Sequence, residues 1–368
     1  MMLIPGPVEV SPEVLKASAY VVNHRSKDFK DIVHNSEMLL NRFADANHSV
    51  MITGSGTLAV ESMIYSLTKP GEHVLAVSFG EFGDRMMESV ERRGCILSRL
   101  TKNEQDSIET SEILNYLSTH SEIETICLVH NETGNGTSIK NLKEITSACK
   151  KMGLKVLVDS VSGFASLPIM VNNWGIDAMA TCSQKGIASV PGVGIVCLGK
   201  DYSDCESFHN DIPKYLDLSS GIKFLKKSET PFTPSTGSFN ALFVALLALE
   251  RETLEKRLLR HHVVADFIRN GIMVSGAKVL GNESNYSDSV IAFEPTIPPS
   301  ELRLKLKHEN IEVAGGMGSL QNKIIRLGNM GILTGLKASF FLQKYSFILG
   351  KNIENIEEQI PLNSSIDS

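Results

Sequence analysis

The chain lacks the features that mark several large protein classes. Among its 368 residues no apolar stretch reaches the ~18 needed for a membrane-spanning helix, and the opening MMLIPGPVEV has no basic stretch followed by an apolar core. The expectation is a chain that is neither secreted nor membrane-anchored. Acidic and basic residues are intermixed, for a net charge of −6, and no basic stripe tracks a phosphate backbone, so no nucleic-acid partner is expected. The six cysteines (Cys95, Cys127, Cys149, Cys182, Cys197 and Cys205) show no CxxC spacing, and a chain this long needs no disulfide staples. A reducing cytoplasm fits that usage. Internal repeats and low-complexity runs are missing. So are GxGxxG and GxxxxGK[ST], which removes support for hydride transfer and nucleotide hydrolysis.

What is present is an ordinary globular composition. At 42% hydrophobic and 21% charged residues, the chain can bury a large core and is long enough for two domains. From about residue 50 to 200, apolar runs alternate with polar amphipathic segments: SVMIT, HVLAVS, CILSRL, ETICLVH, KVLVDS, AMATCS and GIVCLG. That rhythm predicts an α/β fold with a mainly parallel sheet covered on both faces. Residues 238–270 then read as one long helix with few breakers. Residues 271–368 mix short strands (KVLG, SVIAFE, IEVAGG, KIIRLG) with helices, as in a smaller α+β unit, and end in a polar tail, NSSIDS, expected to fray. The division predicted is an N-terminal segment at the active site (1–15), a large domain (16–255) and a small one (256–368).

The sharpest constellation is VLVDSVSG at 156–163 followed by TCSQKGIASVPGVGIV at 181–196. A buried strand ends in Asp159, and another strand and turn lead to Lys185. Pyridoxal 5′-phosphate needs this pair, because a carboxylate keeps the pyridine nitrogen protonated while a lysine amine supplies the imine. Apolar surroundings disfavour the ammonium, which leaves the amine available as nucleophile and proton shuttle. By itself the pair also fits a loop-capping aspartate and a surface lysine. Upstream, MITGSGTLAVESMIYSL at 51–67 runs from a strand through Gly54-Ser55-Gly56-Thr57 into a helix. Small residues at a helix N-terminus let backbone N–H groups approach a phosphate, although a plain strand-to-helix turn has the same pattern.

Seven pieces in one order carry a resemblance over nearly the whole chain: IPGPVEVSPEVLKA (4–17), ITGSGTLAVES (52–62), VHNETGNG (129–136), the VDSVSGFASLP segment around Asp159, SQKGIASVPG (183–192), PFTPST (231–236) and IRLGNMG (325–331). Together they resemble the class V, fold-type I aminotransferases, which include the alanine–glyoxylate, serine–pyruvate and 2-aminoethylphosphonate–pyruvate transaminases. The resemblance implies a large domain with a mainly parallel seven-stranded sheet and bound pyridoxal 5′-phosphate. It further implies a homodimer with shared active sites, and amino acids and 2-oxo acids as the small-molecule partners.

Carried over residue by residue, it implies that Ser55, Gly56 and Thr57 hold the cofactor phosphate, helped by Gln184, and that Asp159 pairs with the pyridine nitrogen. Lys185 bears the imine. Phe82 would stack on one ring face and Val161 on the other. Thr133 would bond the phenolic oxygen, and Thr236 would reach the phosphate from the second subunit. Arg326 would grip the substrate α-carboxylate with its two-pronged donor fork, and Gly6 would mark a close approach to substrate. Two departures stand out. The turn Glu132-Thr133-Gly134-Asn135-Gly136 replaces the ETSTG of relatives and is expected to be more flexible, and Phe82 stands where some relatives have tryptophan.

Alanine or serine as donor, glyoxylate or pyruvate as acceptor, and ping-pong kinetics are what the family implies. Its phosphonate transaminases are the alternative. A cysteine desulfurase of the same fold needs a mobile C-terminal cysteine, and none follows Cys205. A non-catalytic cofactor-binding regulator would have no use for Lys185, Asp159 and Arg326 together. His130, ending a buried strand, reads as structural because Lys185 already supplies a base. His261 and His262 are adjacent and point to different helix faces, so no metal site is expected.

Overall fold

The computed structural model describes residues 1–103, 105–202, 208, 209 and 211–351; Cys205 and the NSSIDS tail lie outside them. Fourteen strands are found among the described residues: β1 (Met2–Leu3), β2 (His48–Gly54), β3 (His73–Ser78), β4 (Ile96–Thr101), β5 (Thr125–Val129), β6 (Asn131–Glu132), β7 (Thr137–Ser138), β8 (Lys155–Asp159), β9 (Ala178–Cys182), β10 (Gly192–Leu198), β11 (Lys278–Val279), β12 (Val290–Glu294), β13 (Glu312–Gly315) and β14 (Ile325–Gly328). Seven form one sheet in the order β2-β10-β9-β8-β5-β3-β4, parallel except for β10, which runs against both neighbours. All seven apolar runs read from the sequence lie in it. β5 and β9 are buried at every position, as expected for central strands covered on both faces.

Register aligns the functional edge. Val129 pairs with Asp159 and Asp159 with Ala180, so β5, β8 and β9 end side by side at the carboxyl edge, where open α/β sheets bind ligands. Helix Gly56–Leu67, capped by Ser55, starts from the same edge after β2.

A second sheet has the order β1-β13-β14-β12-β11, with β1 parallel to β13 and the other pairings antiparallel. One apolar core runs from Val14 to Leu249, and a second joins Leu3 to residues between Val264 and Tyr345. The first residues therefore pack with the last third of the chain. No helix among the described residues is long and apolar enough to cross a membrane.

The single helix expected over 238–270 is two, Thr236–Glu252 and Leu254–Val274. Thr253 breaks it at φ 69° and ψ 147°, a conformation costly for any residue with a Cβ, and its hydroxyl caps the second helix at Lys256 N–H, 3.4 Å away. The break folds Glu252 back onto two buried arginines, with bonds from Arg257 Nε at 2.5 Å and Arg260 Nε at 2.8 Å. Local propensity favours continuity here; the buried ion network overrides it.

Candidate active site

Asp159 closes β8 with its side chain 7% exposed, and one carboxylate oxygen accepts from Val161 N–H at 2.8 Å. The other oxygen has no protein partner among the described residues. Burial pushes its carboxyl up to about 6, against the pull of the Val161 N–H and the Lys185 ammonium. Lys185 lies in the turn between β9 and β10, and Nζ donates to the Pro5 carbonyl at 2.6 Å. Burial lowers its ammonium below the usual lysine range; Arg326 pushes the same way and Asp159 opposes. Gly6, at φ +135°, touches the amine so closely that a Cβ would sit 2.7 Å from Nζ. Both the φ value and the contact require glycine.

The Ser55 hydroxyl caps helix Gly56–Leu67 at Leu58 N–H, 3.5 Å away, and no acidic side chain occupies the first turn. Ser55 and Thr57 are exposed at the helix mouth. Gly56 is buried against Val161, whose methyl would lie 2.8 Å from an added Cβ. The site therefore joins a positive helix end, a buried carboxylate and a depressed amine along one sheet edge. Gln184 lies beside the lysine, where its carbonyl accepts from Val8 N–H at 3.2 Å.

Arg326 reaches the same region from β14 in the smaller sheet. It is 8% exposed, with Nε donating to the Gly315 carbonyl at 2.7 Å and Nη1 to the Thr133 carbonyl at 3.1 Å. Its Nη2 is unpaired among the described residues. Burial lowers its affinity for the proton and Glu132 counters this, so the guanidinium stays charged.

Expected contacts are partly taken. The Thr133 hydroxyl donates to Ser162 Oγ at 2.7 Å, so toward a ligand it is free only as an acceptor. Thr236 lies at the start of helix Thr236–Glu252, and its hydroxyl accepts from Val22 N–H of its own chain at 3.5 Å. Phe82 is half-buried, with the Arg85 guanidinium 4.9 Å from its ring centroid. The turn expected to be flexible is buried and pinned: Asn135 donates to the Phe79 carbonyl at 2.7 Å and accepts from the Thr137 hydroxyl at 2.7 Å. Gly136 has φ +73°, and a Cβ there would meet the Ala292 nitrogen at 2.8 Å.

With this arrangement in view, the family model described as "Aminotransferase class-V" matches residues 11–345. The chain belongs to the class-V aminotransferases. It is 34% identical to an uncharacterized aminotransferase of Methanocaldococcus jannaschii, over 90% of this chain and 88% of that protein. It is 29% identical to a soluble hydrogenase 42 kDa subunit of Anabaena cylindrica, over 91% of this chain and 89% of the relative. Among solved structures it resembles an aspartate aminotransferase of Thermus thermophilus, with TM-score 0.87 and 26% identity over 95% of this chain and 99% of the other. Further relatives carry the names L-aspartate–glyoxylate, alanine–glyoxylate and 2-aminoethylphosphonate–pyruvate transaminase. The architecture is that of fold-type I aminotransferases.

Two other groups of the aminotransferase bear on its chemistry. His130 is buried, its Nδ1 is 2.9 Å from Ser160 Oγ, and burial lowers its imidazolium to about 3. His262, Asp266 and Asp288 form one cluster of metal-ligand types, with ligand atoms within 4.8 Å. Arg269 bonds both carboxylates and Lys140 lies 3.6 Å from Asp288, so the negative charge there is already balanced.

Sequence reading passed over Glu132. Its fully buried carboxylate accepts from Phe82 N–H at 3.0 Å, Gly83 N–H at 3.2 Å and Gly134 N–H at 2.9 Å, and burial pushes its carboxyl up to about 7. The one local hint is Gly80, too close to Glu132 for a side chain; nothing in the sequence pairs the two.

Proposed function

We propose that this aminotransferase uses pyridoxal 5′-phosphate to move an amino group from a small amino acid, alanine or serine, to glyoxylate or pyruvate in two half-reactions. The observation that carries the reading is the Lys185 amine, held on the Pro5 carbonyl at 2.6 Å, at the same sheet edge as the buried Asp159 carboxylate with one oxygen unpaired. The protein residues fit the cofactor. A helix N-terminus with no acid in its first turn suits a phosphate, the open oxygen of Asp159 suits a protonated ring nitrogen, and Gly6 and Gly56 leave room where side chains would intrude. When bound, the cofactor supplies an electron sink for charge developing at the substrate Cα.

The rest falls to this chain's own groups. Lys185 Nζ would carry the proton from the substrate Cα to the C4′ carbon of the cofactor, and burial makes its ammonium a readier proton donor than an ordinary lysine's. Arg326 binds the substrate α-carboxylate through the guanidinium N–H groups not given to the Gly315 and Thr133 carbonyls. Gly6 and Pro5 close over the amine and exclude water. Asp159 would pair with the ring nitrogen and keep it protonated, which would in turn favour the charged form of its carboxylate.

Residues 16–255 are proposed as the cofactor-binding domain and 256–368 as the small domain, of which residues to 351 are described. A homodimer with shared sites is supported by apolar surface beside Thr236: Val21 is 89% and Tyr20 56% exposed, and the Tyr20 carbonyl accepts from Asn240. A cytoplasmic location is supported by the cysteines, since Cys95, Cys127, Cys149, Cys182 and Cys197 are all free.

The test is an absorbance scan of the protein loaded with cofactor while alanine, serine, aspartate and 2-aminoethylphosphonate are added singly. Bleaching by alanine or serine supports the reading, and bleaching by the phosphonate alone replaces it with the phosphonate transaminase. Borohydride reduction and peptide mapping must place the pyridoxyl label on Lys185.

A further inference from the structure

Helix Glu81–Arg92 begins at Gly80 without a side-chain cap of its own. Two of its first N–H groups are instead satisfied by a residue of β6. One oxygen of Glu132 receives Phe82 and Gly83 N–H, at 3.0 and 3.2 Å, while the other receives Gly134 N–H at 2.9 Å. A carboxylate is the side chain that can accept all three, because an amide offers one acceptor oxygen only. The neighbouring residue closes the circuit, since Thr133 gives its carbonyl to Arg326. Glu132 is also the strongest attraction on the Arg326 charge, with Glu81 adding and Arg85 opposing, and it repels Asp159. The seat is tight: a Cβ on Gly80 would lie 2.5 Å from Glu132 Cγ.

We infer that Glu132 is a positioning residue that locks the ring of Phe82 and the guanidinium of Arg326 into one frame, so that cofactor plane and substrate carboxylate are set by a single buried carboxyl group. The inference rests on the cofactor reading above. Glu132 touches neither ligand directly and acts through the Phe82 and Gly134 backbones and through the Arg326 charge.

The experiment compares wild type, Glu132→Gln and Gly80→Ala, each saturated with pyridoxal 5′-phosphate. The readouts are visible circular dichroism of the bound cofactor, melting temperature, and donor KM and kcat taken separately. Glu132→Gln keeps the shape and loses an acceptor and the charge. The expected result is a loss of about half the cofactor dichroism and an increase of about tenfold in donor KM, exceeding any fall in kcat. Gly80→Ala, at an extended φ of 166° open to any residue, displaces the carboxylate without neutralising it and should shift both readouts the same way but less. It also decides the matter if Glu132→Gln does not fold. A lower melting temperature with unchanged dichroism and KM would reduce Glu132 to a helix cap and overturn the inference. If wild type itself shows no cofactor dichroism, the cofactor reading fails instead.

Discussion

Replacing Asp159 by asparagine should stabilise the cofactor-free protein while disabling the enzyme. The folded protein holds this carboxyl at about 6, against an ordinary 3.8. A carboxyl whose folded pKa lies above its unfolded value binds its proton more tightly in the native state. Its contribution to stability is therefore present below pH 3.8 and lost as pH rises through about 6. Keeping the ionised form in so unfavourable a place costs ~3 kcal/mol at pH 8, an upper bound because water can reach the open oxygen. Asparagine keeps the 2.8 Å bond from Val161 N–H through its amide oxygen and carries no charge. For a protein of this size, that much energy raises the melting temperature by about 4 °C at pH 8, shrinking toward zero near pH 4. Glu132 adds a slope of the same sign to both proteins, so the quantity to read is the difference between variant and wild type. With cofactor bound the order should reverse, since the ring nitrogen loses its charged partner and kcat falls by about 10²-fold, a charge-assisted bond of ~3 kcal/mol. The assay is calorimetry of stripped and loaded protein from pH 4 to 8. Parallel melting curves for the two stripped proteins would refute the claim that burial of this carboxylate is strained.

Gly6→Ala forces a left-handed φ and a 2.7 Å overlap with Lys185 Nζ, so kcat should fall at least about tenfold with the fold intact by far-ultraviolet dichroism; full activity would show that the N-terminal segment yields easily. Arg326→Lys replaces the planar fork by a point charge, and donor KM should rise about tenfold with a smaller change in kcat, whereas an equal fall in kcat alone would place the arginine elsewhere in the reaction. Glu252→Ala leaves Arg257 and Arg260 buried without their anion and should cost about 3 kcal/mol in urea denaturation; a loss under about 1 kcal/mol would show that the backbone carbonyls alone suffice.

The large sheet was legible because its strands are buried on both faces and read as unbroken apolar runs, KVLVD and TICLV among them. Asp159 and Lys185 were legible because each follows such a run, at the edge where ligands bind. Other features depend on contacts between residues far apart in the chain. The bond from Arg326 to the Thr133 carbonyl joins β14 to the turn after β6, and Glu132 meets Phe82 across the β3 and β5 crossovers, so no spacing announces either. Thr253 ends a helix amid strong helix formers because the bend brings Glu252 onto Arg257 and Arg260, whose guanidinium groups are held by the distant carbonyls of Gly186, Gly331 and Leu333. β1 is two residues long, too short to show a period, and pairs with a strand near the other end of the sequence.

That short strand ties the lysine to the smaller sheet. Met2 and Leu3 are fixed to Glu312 and Val313, and within five residues the same segment has given Pro5 to the Lys185 amine and Val8 to Gln184. The tether has almost no slack, so shifting β1 along its partner by one residue would draw the Pro5 carbonyl away by about 3 Å. For anyone engineering the protein, changes in length between Leu3 and Val8 would detune the amine, even though that stretch contains no catalytic side chain.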